Sequence, residues 1–395
     1  MALQAAFTLT ANEIYETLAN MIISQQVFAD NIGKHQTLVD KARVDGGLYG
    51  DTKLYYATDV LESVPWGVDI NHAKGGKMDV EAANLLSLDR ASDPEVQAIK
   101  LDVFRQIRLT TDNYMSKRAF ATEGAFSEFT SVMIGWMRDT KRVYDGTTYN
   151  VFIGTTETSQ GKQARSIDID AFSNSTGENI AKDMADLFNE MGDYSRDFND
   201  YGFLRSYAEG EIKVIWNAKY VNQVKKIDLP SIFHSDALAN TFVGDVLPAK
   251  YFGTVITSNN FSTYSDPTPA AGKPIDSDTG AYTPGSNHAN GCLRAAVEKK
   301  VTVSSTEYHV FPGEEIPAGA TIGASSTNFL YGEVYIETSD VICKVLVKLP
   351  PYMSAFEVGT TFFNPRSLTE NHYLTFGHNT LQYFKNYPFI TVKAV

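Results

Sequence analysis

Phe126-Ser-Glu-Phe-Thr-Ser-Val-Met-Ile-Gly-Trp-Met137 is the most informative stretch of this chain. Phe126, Phe129, Thr130, Met133, Ile134 and Met137 recur at i, i+3, i+4, i+7, i+8 and i+11, which places them on one face of a helix. Asp139, Lys141 and Arg142 follow as a charged turn, and Gly146 predicts the stop. The neighbouring segments read as strands rather than as regular helix–strand alternation. The fold class is therefore α+β, with segregated helices and strands.

Upstream, residues 45–110 are punctuated by Gly46, Gly47, Gly50, Gly67, Gly75 and Gly76. Strand-like pieces at Lys53–Thr58 and Ile99–Thr110 flank a polar centre, Asp69–Ala91, that has no clean period. A section with strand-like ends and little core of its own reads as a protruding hairpin or loop, and such excursions are functional or disordered. Further upstream, Thr10 and Glu13 have capping-box spacing, and Ile14, Leu18 and Met21/Ile22 share one face. They predict a helix that fades near Asp30–Gly33.

Downstream, residues 150–173 read as strands and loops. Ser175 and Glu178 form a second capping box, and Ile180, Met184, Leu187, Phe188 and Met191 a second apolar stripe. Ile212–Trp216 reads as a buried strand, and Asn217 caps a helix through Val224 that ends before Pro230. Residues 257–291, dominated by Ser, Thr, Asn, Pro, Gly and Asp, read as an exposed loop. Residues 297–330 alternate in short β-like pieces around Pro312-Gly313 and Pro317–Gly319. Residues 333–349 and 386–393 read as strands returning to the main body.

The chain has 395 residues, and 34 Lys and Arg against 47 Asp and Glu give a formal charge of −13. A chain this acidic is a poor whole-surface ligand for nucleic acid, which needs clustered cations. Its two cysteines, Cys292 and Cys343, exclude a disulfide framework and a four-thiolate zinc site. Both read as inert packed thiols, bridged only if the fold brings them together. The opening Met-Ala-Leu-Gln-Ala-Ala-Phe lacks a basic region and a long apolar run, so no secretory leader is expected. No stretch approaches the length of a membrane span. Aromatics make up 12% of the chain, which suits broad contact surfaces as well as a core.

The motifs of catalysis are missing. Gly154-Thr-Thr-Glu-Thr-Ser-Gln-Gly-Lys162 has six residues between its glycines, where a phosphate loop needs four, and Gln163 follows the lysine. No G-x-G-x-x-G, G-x-S-x-G or H-E-x-x-H pattern occurs. His372 and His378 are the nearest histidine pair and read as ordinary hydrogen-bonded imidazoles. Asp276-Ser-Asp278-Thr-Gly280 resembles the start of a calcium loop but lacks its later ligands, and reads as an acidic turn. Asp193, Asp197 and Asp200 read as solvated loop carboxylates. Lys117-Arg118, Lys141-Arg142, Lys225-Lys226 and Lys299-Lys300 read as solvated faces or intersubunit salt-bridge donors. No residue is assigned to catalysis, to a cofactor or to a metal. Extensions, aromatics and negative charge favour an assembly component over an enzyme.

A resemblance sharpens this reading. Phe104-Arg-Gln-Ile-Arg-Leu-Thr-Thr-Asp-Asn-Tyr114, Lys117-Arg-Ala-Phe120, Phe126-Ser-Glu-Phe129, the run from Trp136 to Tyr144 and Asn150-Val-Phe-Ile-Gly154 together resemble the major capsid proteins of short-tailed phages of Gram-positive bacteria. So do Phe203-Leu-Arg-Ser-Tyr207, Val214-Ile-Trp-Asn217, Lys225-Lys-Ile-Asp-Leu-Pro230 and Ile232-Phe-His234. Met353-Ser-Ala-Phe356, Asn364-Pro-Arg-Ser-Leu-Thr369, Asn371-His-Tyr-Leu-Thr-Phe-Gly377 and Tyr387-Pro-Phe389 continue the likeness, which spans residues 10–255 and 330–395.

The resemblance implies a Hong Kong 97-type capsid fold. Residues 1–44 would be an N-arm with a helix, and 45–110 an extended loop reaching over a neighbouring subunit. Residues 111–179 and 331–395 would be a peripheral domain with the spine helix, 180–256 an axial domain, and 257–330 a small β-rich insertion. The implied function is a structural major capsid protein that self-assembles from hexamers and pentamers into an icosahedral or prolate head around packaged DNA. The implied partners are itself, a scaffolding protein and the portal. Packaged DNA would be touched only weakly and non-specifically, with no membrane and no cofactor. The implied location is the virion, after synthesis in the host cytoplasm. Some members of this fold join a lysine to an asparagine; Lys53, Lys74 and Lys77 lie in the presumed loop, with nothing marking a partner. The alternative is that 257–330 is a surface-exposed binding module for a host surface or a decoration protein.

Overall fold

The computed structural model describes residues 38–46, 52–61, 91, 93–112, 123–158, 164–167, 175–225, 245–268, 273–284, 292–338 and 340–395. The helix expected after Thr10 and nearly all of Asp69–Ala91 lie outside the described residues. In chain order the elements are α1 (Leu38–Ala42), β1 (Arg43–Asp45), β2 (Thr52–Ala57), β3 (Glu95–Asp112), α2 (Glu123–Thr155), β4 (Ala164–Ile167), α3 (Ser175–Gly192), β5 (Lys213–Asn217), α4 (Ala218–Lys225) and β6 (Asp245–Leu247). Then come β7 (Gly253–Val255), α5 (Phe261–Tyr264), β8 (Ser265–Asp266), β9 (Ile275–Asp276), β10 (Leu293–Ala295), β11 (Lys299–Val303), β12 (Thr306–Val310), β13 (Val334–Glu337), β14 (Val341–Leu346), β15 (Tyr352–Asn364), β16 (Thr369–Asn379) and β17 (Phe389–Ala394).

The helix read from Phe126–Met137 is α2, and it is longer than expected, at 33 residues. It runs through Gly146 and takes in Asn150–Gly154, which the sequence suggested as strand or loop. The reason is burial. Tyr149, Val151 and Ile153 are almost wholly enclosed, and they outweigh the roughly 1 kcal/mol that a mid-helix glycine costs. Tyr149 and Ile153 pack with Leu38, Ile215, Leu346, Tyr352 and Phe389.

Two five-stranded sheets flank this helix. The long sheet has the order β1-β15-β16-β3-β2, and the second sheet β4-β17-β14-β5-β6. The second sheet carries α3 and α4. Ile180, Met184, Leu187, Phe188 and Met191, the stripe read from sequence, bury against Val214, Trp216, Cys343, Val345, Ile390 and Val392. Asn217 caps α4 as expected, its Oδ1 accepting the Lys219 N–H at 3.0 Å. β14 and β17 come from the 331–395 range, yet β14 pairs with β5 from the 180–256 range. The two ranges therefore share one sheet.

Residues 253–337 form a β module around their own core. Ile256, Ile275, Tyr282, Leu293, Val301, Ile316, Ile322, Phe329, Val334 and Ile336 pack together. Its sheet has the order β10-β13-β7, with β11–β12 as a hairpin. The exposed loop expected at 257–291 thus contributes buried Ile275 and Tyr282, and Val334–Glu337, expected to return to the main body, stays in the module. Among the described residues no helix is long and apolar enough to cross a membrane.

Candidate interaction surfaces

β2 and the first residues of β3 form an antiparallel ribbon whose two faces differ. Tyr56 lies opposite Val96 and Leu54 opposite Ala98. These four share the outer face, where Tyr56 is 65% and Leu54 50% exposed. Val60 and Leu61 extend the exposed apolar surface past the end of β2. The inner face is fastened. Tyr55 meets Phe384 edge-on at 5.0 Å, and Ile99 and Leu101 pack with Met353 and Ala355. Gln97 donates Nε2–H to the Tyr383 carbonyl at 2.8 Å and accepts the Lys385 N–H at 3.1 Å. Asp59 accepts the Leu204 N–H at 2.9 Å and pairs with Arg196. Those hydrogen bonds hold its carboxyl down at about 2. The ribbon base is thus fixed to the body while a contiguous apolar face stays open, the mark of an interaction site.

The second surface is the long β15–β16 hairpin. Its inner face lies on α2, where the Tyr144 and Phe376 rings are 5.7 Å apart and the Arg105 guanidinium sits 4.6 Å from the Tyr144 centroid. A buried polar network stiffens this contact. Lys141 Nζ donates to Asp145 at 2.9 Å, and the Tyr352 hydroxyl donates to the other Asp145 oxygen at 2.6 Å. Arg43 of β1 approaches the same carboxylate at 3.5 Å. His378 donates Nδ1–H to the Asn379 carbonyl and accepts the Tyr144 hydroxyl, both at 2.8 Å, and burial depresses its pKa. Toward the tip the hairpin exposes Phe362, Phe363 and Leu368.

The other residues singled out from sequence have structural roles. Lys141 is buried and paired with Asp145, not solvated; their i, i+4 spacing was the available signal. Lys299 and Lys300 pair within the chain, with Glu333 and Glu307. Lys117-Arg118, Lys74 and Lys77 lie outside the described residues, and Lys53 is half-buried on β2. Asp200 accepts the Tyr383 hydroxyl rather than facing solvent alone. Asp276 accepts the N–H groups of Asp278 and Thr279 in a closed turn. Gly154 lets the end of α2 approach the Tyr251 carbonyl, which a Cβ would overlap. Cys292 and Cys343 are not bridged to each other; Cys343 lies in the core of the second sheet, Cys292 beside the module sheet, and burial raises both thiols. Among the described residues no cluster of three or more metal-ligating side chains occurs. The sequence reading passed over Lys344, a lone cation in the apolar run Val341-Ile-Cys-Lys-Val-Leu346.

No protein-family model and no curated protein sequence matches this chain. Solved structures do. The chain aligns over 94% of its length with 87% of a chain in the capsid structure of Staphylococcus phage Andhra, at a TM-score of 0.56 and 10% identity. It aligns over 92% of its length with 88% of a chain in the structure of head fiber and inner core protein gp22 of native bacteriophage P68, at a TM-score of 0.54 and 11% identity. The chain therefore has, nearly end to end, the α+β fold found in the Andhra capsid structure.

Proposed function

We propose that this chain is the major capsid protein of a phage, a structural subunit that self-assembles into the head shell. The carrying observation is the fold shared with the Andhra capsid structure over almost the whole chain. The open apolar face of the β2–β3 ribbon supports it, because a second copy is a natural cover for surface that the chain itself leaves bare. On this reading the fold is of the Hong Kong 97 type. The ribbon is the base of the extended loop, and α2 with the long sheet is the peripheral domain. The second sheet with α3 and α4 is the axial domain, although its strands come from 111–179, 180–256 and 331–395. Scaffolding protein and portal are its further partners, the virion is its location, and the charge of −13 keeps packaged DNA from adhering to the shell.

The test is assembly of the full chain. Purified protein, concentrated alone and with a candidate scaffolding protein, is followed by light scattering and electron microscopy. Closed shells, or rings of five and six subunits, are the expected products. A clean monomer under both conditions would overturn the reading.

A further inference from the structure

Between α2 and the β15–β16 hairpin lies a cavity of about 430 Å³, lined by Met137, Arg138, Gly359, Thr361, His372 and Leu374. His372 is 4% exposed, and its Nδ1 has no hydrogen-bond partner among the described residues. Its chemistry is defined by its other nitrogen. Thr111 donates its hydroxyl hydrogen to the Glu370 carbonyl at 3.2 Å, so its oxygen is left to accept Nε2–H of His372, also at 3.2 Å. Nδ1 is then a buried acceptor, and a group that brings an apolar body together with an N–H or O–H donor suits the cavity.

The same chain carries such a group. At the hairpin tip Phe362 is 61% and Phe363 47% exposed. Glu370 stands directly opposite Phe363 in the register, so a ring entering the cavity brings a carboxylate toward Arg138. We propose that this cavity receives the β15–β16 tip of a second copy. Phe363 fills it, the Glu370 carboxylate opposite that ring approaches Arg138, and an N–H donor at the tip satisfies His372. Knob and socket lie two residues apart, at 363 and 361, on one hairpin face, so the contact closes on itself around a nearby symmetry axis rather than growing into a fibre. A single tip contact is too small to hold a free dimer, so it is populated where many subunits meet.

This inference rests on the self-assembly reading and is tested beside it. Two full-length single variants, Thr360→Cys at the cavity wall and Ser367→Cys at the tip, which keep Phe363, Glu370, Arg138 and His372 intact, are mixed at high concentration and joined with a short bismaleimide. Both positions are exposed, so neither change should disturb the fold. The control mixes Thr360→Cys with Tyr194→Cys, an exposed site far along the chain. The expected result is a mixed dimer at least about tenfold above the control, from the raised effective concentration of docked groups. Yield equal to the control overturns the docking, and if shells form in the same sample the assembly reading stands without it. Mixed dimers without shells uphold the docking and count against the shell. Neither dimers nor shells overturns both.

Discussion

Lys344 shows how one residue can set the pH response of the fold. It lies in the middle of β14, fully buried, with Nζ donating to the Thr156 carbonyl and the Thr391 hydroxyl, both at 2.8 Å. Burial pulls its pKa from 10.5 to about 7, and the nearby Glu157 only partly opposes this. The unfolded chain holds the proton up to its ordinary pKa, while the folded chain gives it up near 7. Between those values the unfolded state binds more protons, so stability rises with pH, and the penalty is greatest below 7. Lys344→Met removes the buried charge at similar length but leaves the Thr156 carbonyl without this donor. The expected net gain is about 1–3 kcal/mol near neutral pH. The rise in stability between about pH 7 and pH 10 should flatten. Urea midpoints at about pH 6 and pH 9 decide it; a variant less stable at the lower pH would contradict the account.

Among elements, the β2–β3 ribbon separates anchoring from offering, residue by residue. Tyr55 faces inward onto Phe384 and Tyr56 outward to solvent. Tyr55→Ala should cost about 2–3 kcal/mol by removing the packed ring. Tyr56→Ser should leave stability within about 0.5 kcal/mol, since no packed group is lost, while lowering the yield of assembled particles. Thermal unfolding and sedimentation of the two variants separate these outcomes; unimpaired particles from Tyr56→Ser would remove the outer face from the assembly surface. Such elements were partly legible in the sequence. The stripe from Ile180 to Met191 and the alternation in Ile99–Thr110 are local patterns, and both appear as α3 and β3. The run of α2 through Gly146 was not legible, because burial of Tyr149 and Ile153 depends on β14, β15 and β17, about 190 residues or more away in the chain. The joining of β14 to β5 is likewise a long-range pairing that no window of sequence contains. Nor was the His372 cavity, since its walls come from α2, β15 and β16, and a lone histidine in a strand carries no mark of an unfilled bond.

At the scale of the molecule, the β module at 253–337 behaves as an attachment. The chain leaves through β7 and returns through β13, and these are hydrogen-bonded neighbours with Val255 opposite Tyr335. The module has a separate core, and Glu298 ties it to the long sheet by accepting Arg105 at 2.8 Å, while His309 of β12 braces the same carboxylate at 2.7 Å. It is also sparing with apolar surface. Among its described residues the large apolar side chains left exposed are Tyr308 and Leu330, whereas the ribbon and the hairpin tip each expose several. Affinity between copies comes from desolvated apolar anchors, so the module should add little to assembly. Replacing residues 257–332 by an Asn-Gly turn keeps the β7–β13 ladder. Ile256, Val334 and Ile336 then lose their cover and should be changed to Thr to avoid a new sticky face. The shortened chain should melt as a folded body and still form particles, with any adsorption function of the full-length particle reduced. A folded body that no longer assembles would instead place the module among the intersubunit contacts, and would shift the search for anchors from the ribbon to Tyr308 and Leu330.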